Sequence, residues 1–166
     1  MSYMDRFKHA DDIITHLDAI VPSLTDNALK AKYAGLLAVA GVTVYELAIK
    51  DIFFEFADKK HAVLGVSTRV RFERINGQIK LEDLMGKHIH FFGEKYETKF
   101  RKKIEDIEIK TLKAKRVSVK SSYKNLIVWR HNFAHSASIM NTYEEVKDAY
   151  FIGQEVIHCL NETMKR

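Results

Sequence analysis

Three side chains in the run RHNFAH, Arg130, His131 and His135, are of types that act on a phosphate ester. An imidazole takes or gives a proton near neutral pH. A guanidinium presents a fixed fork of donors to phosphate oxygens. Their placement follows from the surrounding stretch, SSYKNLIVWRHNFAHSASIMN. A helix from Ser122 to about Phe133 would align Ser122, Leu126, Trp129 and Phe133 on one stripe, widened by Ile127 and Ala134. Arg130 follows Leu126 by four residues and falls inside that stripe. A guanidinium cannot shed its charge, so it needs an anion there, either a carboxylate of this chain or a phosphate. The tract SASIMN has no helical pattern, and a loop there would let His135 turn away from the helix axis.

Charge reinforces the phosphate reading. The formal charge is +5, yet Lys99 to Lys124 holds ten basic residues against Glu105, Asp106 and Glu108. Such a run beside a phosphate-binding arginine suits nucleic acid, whose counterions it would release; the plain alternative is a solvated lysine-rich face. A metal site fits the motif less well. His131 and His135 stand at i, i+4, but no glutamate follows His131, no carboxylate or cysteine lies near, and Arg130 would repel a cation. His88 and His90 point about 200° apart on a helix and are expected at a surface or interface. Cys159 is expected to serve packing.

The elements that must position the motif are helical. With 166 residues, 46% hydrophobic, and one proline, Pro22, the chain can bury one core and interrupt few helices. Tyr3 to Ile20 is amphipathic, and Pro22 closes it. Ser23 or Thr25 with Asp26 then offers cap chemistry for a long helix from Asn27 to about Lys59. Its face carries Ala38, Val42, Tyr45, Ile49, Ile52, Phe53 and Phe56, with Glu46 at the edge as a candidate partner for Arg130. Gly65 suggests a break and Asn76-Gly77 a turn. Helical spacing resumes at Leu81, Leu84 and Met85, and again at Tyr96, Phe100, Ile104 and Ile107. Glu108 to Lys120 is poor in apolar residues and reads as an exposed connection. Thr142 and Glu145 form a capping box that opens a last helix. The expected architecture is all-α, an up-and-down bundle of about five helices in one domain spanning residues 1–166. A single cysteine, no apolar leader and no membrane-length tract lead us to expect a soluble, cytoplasmic protein.

The motif and its setting resemble the HEPN domain family (higher eukaryotes and prokaryotes nucleotide-binding), whose signature is Arg, then Asn, Asp or His, three residues, and His. Arg130, His131 and His135 match it. The similarity is to the RiboL-PSP branch and extends to VYELAIKDIFFEF, LEDLMGKHIHFFGEKYETKF, SYKNLIVWRHNFAH and NTYEEV, in that order.

The resemblance implies a homodimer with two motifs across a cleft and a metal-independent endoribonuclease that needs no cofactor. Cleavage would proceed by 2′-OH attack, leaving 2′,3′-cyclic phosphate and 5′-hydroxyl ends. His135 would be the general acid or base, His131 an orienting or phosphate-contacting residue, and Arg130 the phosphate clamp. From the residues themselves, Glu46 is the candidate to pair with Arg130 across the bundle, and Lys115, Arg116, Lys120 and Lys124 of the basic run are the candidates to contact RNA. The expected setting is a toxin or antiviral system, with an antitoxin or defence protein as a further partner. The alternatives are an inactive module that binds RNA or nucleotide, and a structural dimer in which Arg130 only pairs with a buried carboxylate such as Glu46. Members paired with nucleotidyltransferase antitoxins carry a modifiable tyrosine two positions after the motif histidine. Ala137 stands there, which leaves Tyr143 or Tyr150 for such a modification.

Overall fold

The structure is a computed structural model that describes residues 2–165. Seven α-helices and no strand occur among the described residues: α1 (Tyr3–Ile20), α2 (Asn27–Lys60), α3 (Ala62–Phe72), α4 (Leu81–Asp83), α5 (Glu94–Lys115), α6 (Val119–Ser136) and α7 (Tyr143–Met164). Five of them run 18 residues or more and form the expected bundle. No helix among the described residues is long and apolar enough to cross a membrane.

The longest helix, α2, is the central element and packs on α1, α3, α6 and α7. Asp26 caps it, accepting from the amides of Ala28 and Leu29 at 2.8 and 3.3 Å. All seven apolar positions expected on its face are buried. Tyr45 at its middle stacks between Tyr123 of α6 and Tyr150 of α7, with ring centroids 5.5 and 5.8 Å apart. Gly35 lets α6 come close, since a Cβ there would lie 2.0 Å from the Phe133 ring.

Three boundaries differ from the sequence expectation. Gly65 does not break the chain; it is buried within α3, where a side chain would strike Asp58, the partner of Arg69. The break falls at His61, which is extended (φ −167°) and whose Nδ1 accepts from the Val63 amide. The basic tract after Glu108 is helical almost to its end, because lysine and glutamate favour helix without needing burial. Arg116, at φ 56°, ends α5. Glu108 then ties α5 to the start of α6, accepting from the Ser118 hydroxyl at 2.6 Å and the Lys120 amide at 3.0 Å. Finally, α6 does not stop at Phe133 but continues to Ser136, capped by Ala137 at φ 54°. Thr142 and Glu145 do form the reciprocal capping box of α7.

After α4 the helix widens into a π-turn (Leu84–Ile89) and then tightens to a 3₁₀ turn (His90–Phe92). His88 is not at the surface: it is buried against Phe72, and Nε2–H donates to the Gln78 carbonyl at 2.8 Å. His90 is exposed and pairs with Glu97. Cys159 is half-buried, and burial pushes its thiol up to about 11, in keeping with packing.

Candidate functional site

Arg130 lies on the flank of α6 that turns toward α2, and Glu46 meets it there. Nη2 donates to Glu46 Oε1 at 2.7 Å, and the Gly77 amide donates to the same oxygen, also at 2.7 Å. The Glu46 side chain is 12% exposed and that of Arg130 29%. A covered carboxylate therefore anchors one nitrogen of a guanidinium whose Nε and Nη1 have no partner among the described residues. Those donors remain for an incoming anion.

Gly77 sits at φ +77°, a left-handed conformation that side chains resist. The turn carrying it is pinned on both sides. Lys50 of α2 donates to the Glu73 carbonyl and to Asn76 Oδ1, each at 2.8 Å. His88 holds the Gln78 carbonyl, and the Tyr123 hydroxyl donates to the Ile79 carbonyl at 2.6 Å. Sequence reasoning identified Asn76-Gly77 as a turn but missed its part in the site. A glycine with no core to pack carries no signal of a contact with α2, 31 residues earlier.

Because α6 stays helical, His131 and His135 stand one turn apart on its exposed face, with ring centroids 4.3 Å apart at 60°. His135 does not turn away from the axis as its sequence suggests; it stacks edge-on with His131. Trp129 and Phe133 are half-buried and Ala134 is exposed, so the buried stripe shifts toward Ser122, Tyr123, Leu126 and Ile127. Arg130 lies about 100° around the helix from His131 and about 140° from His135, on the flank that meets α2.

The basic candidates separate. Lys124 precedes His131 by seven residues, two helical turns, and shares its face with no ion-pair partner among the described residues. Lys120 extends the same line, its Nζ held by Glu105. Lys115 and Arg116 are exposed at the α5–α6 turn, more than 16 Å of α6 axis from Arg130 by the usual rise of about 1.5 Å per residue, and do not join the motif. Tyr143 and Tyr150 are not available surface phenols. Both are buried, with hydroxyls donated to Asp18 Oδ1 at 2.8 Å and Asp11 Oδ1 at 3.1 Å.

No group of three or more His, Cys, Asp or Glu side chains able to hold a metal forms among the described residues. The site thus offers an anchored cation, two accessible proton-transfer groups and an approach from solvent.

No curated protein matches the chain, and no solved structure does. A family model described as RiboL-PSP-HEPN matches residues 5–166, nearly the whole chain and every element around Arg130 and His135. The protein belongs to the RiboL-PSP-HEPN family, and its bundle is a HEPN-like helical domain.

Proposed function

We propose that the protein is a metal-independent endoribonuclease in which Arg130 and His135 act directly on the RNA backbone. The observation that supports it best is the division of Arg130: one nitrogen is fixed by Glu46 while Nε and Nη1 keep no partner among the described residues, and the exposed imidazole pair of His131 and His135 follows on the next face of the same helix. A guanidinium serving only to satisfy Glu46 would not need its remaining donors left free and partly exposed.

In this reading one imidazole removes the proton from a ribose 2′-OH, and the oxygen attacks the adjacent phosphorus. The phosphorus–O5′ bond breaks, and an imidazolium gives its proton to the departing oxygen. Arg130 holds the non-bridging oxygens as negative charge develops on them. The products are a 2′,3′-cyclic phosphate and a 5′-hydroxyl. His135 performs proton transfer, and His131 orients the phosphate or takes the complementary role. Two copies of the chain facing each other would supply both the acid and the base. Lys120 and Lys124 carry the strand toward the motif. Membership in a family whose domains are often ribonucleases agrees with this chemistry. The biological setting we infer is a cytoplasmic toxin or antiviral effector restrained by a partner protein.

The test is incubation with single-stranded and structured RNA in excess chelator. Cleavage should persist in wild type and fall by about 10²–10⁴-fold in His135→Ala and Arg130→Ala. Binding without cleavage by the wild type would instead identify a non-catalytic RNA-binding module. No binding would leave the Arg130–Glu46 pair a structural contact.

A further inference from the structure

A second feature runs along α6 away from the motif. The segment from Gly77 to Glu82 lies against α6: Gly77 is beside Arg130, Ile79 is bonded to Tyr123, and Lys80 and Leu81 face the first half of the helix. Between this segment and α6 opens a groove of about 500 Å³. Leu81, Ile127 and Val128 form its apolar side, and Lys80, Lys120 and Lys124 line its rim. Val128 is 41% exposed although it sits three residues from His131, so the apolar wall is open at the end nearest the motif.

Its chemistry is two-sided. The volume falls in the range that small ligands occupy, about 300–1,000 Å³. The aliphatic wall suits the flat face of a base. Lys80 and Lys124 are exposed and unpaired among the described residues, and they suit the phosphates on either side. Ser121 and Glu82 border the same space and offer polar atoms to a base edge. A duplex would keep its bases stacked and could not present one to this wall.

We propose that this groove is a subsite for an unpaired nucleotide neighbouring the cleaved linkage, so that the protein selects RNA with a base free to leave the stack. The proposal rests on the ribonuclease reading above. It adds that the Gly77–Glu82 segment, and not the basic end of α5, guides the strand to Arg130.

The test uses His135→Ala protein, which should hold RNA without cutting it, and fluorescently labelled single-stranded oligonucleotides read by anisotropy. One series carries an abasic residue at each position around the linkage that wild type cuts. Removal of one neighbouring base should weaken binding by roughly 10-fold, the burial of one flat face. Val128→Trp, which fills the groove, should weaken the intact oligonucleotide by a similar factor and erase the abasic penalty. Lys80→Glu with Lys124→Glu, which leaves the groove open, should lower affinity for every oligonucleotide alike. Circular dichroism melting checks that each variant folds. If wild type cleaves RNA but abasic position has no effect, or the abasic and Val128→Trp penalties multiply, the subsite is refuted and the nuclease stands. If wild type neither binds nor cleaves RNA, both readings fall.

Discussion

Arg130, Glu46 and the Gly77 amide share one carboxylate oxygen, so none of the three can be changed alone without loosening the others. Either Arg130→Ala or Glu46→Ala should cost about 1–3 kcal/mol in urea denaturation, the charge-assisted hydrogen bond being lost from a mostly covered setting. The double variant should cost less than the sum, because the second change removes a group already unpartnered. Glu46→Gln keeps the shape and removes the charge. It should lower turnover at saturating RNA by about 10-fold with little change in Kd, since it leaves Arg130 mobile rather than absent. The motif was legible because arginine on an apolar stripe demands an anion, and Glu46 was legible because it borders the facing stripe of α2. Gly77 was not legible, for its contribution is a backbone amide, which any residue possesses. Only the left-handed φ distinguishes it, and Gly77→Ala should cost about 1–2 kcal/mol for that reason.

The elements set these residues with different degrees of constraint. Helix α2 could be read along its whole length because its buried positions repeat at helical spacing. Helix α5 could not, since its later turns are held by intrinsic preference and by Glu108 rather than by burial. The end of α6 was hidden for a related reason: Ala137 in the left-handed cap position is a compromise that glycine would relieve. Ala137→Gly should therefore raise stability by roughly 0.5–1 kcal/mol in thermal or urea melts. The π-turn has a consequence for pH. It buries His88, and that burial, only partly offset by the bond to the Gln78 carbonyl, holds the ring below its ordinary value of 6.5. The unfolded chain then binds a proton at higher pH than the folded one. Stability from His88 is complete above about 6.5 and is lost as pH falls through the lower folded value. In His88→Gln the part of the acid-side slope due to this ring should disappear, which urea midpoints measured between pH 5 and 7.5 will show.

For the molecule as a whole, the exposed histidine face, the groove beside it and Lys124 form one surface along α6, about a quarter turn from Tyr123, whose stack fixes α6 to α2 and α7. If that surface follows an RNA backbone, affinity will fall with salt, and neutralising Lys124 will reduce the log–log slope by about 1, whereas neutralising Lys115 will leave it unchanged. The excess charge was plain in the sequence, but its division between the α6 face beside the histidines and the turn that joins α5 to α6 depended on how those helices meet. The most direct measurement of the central claim is product analysis with an RNA that carries a single 2′-deoxy residue at the preferred cleavage site. Wild type should leave 2′,3′-cyclic phosphate and 5′-hydroxyl ends on the unmodified strand, and cutting should cease at the modified linkage alone. Cleavage undiminished across the deoxy linkage, or 3′-hydroxyl ends on the products, would contradict internal attack beside Arg130 and His135.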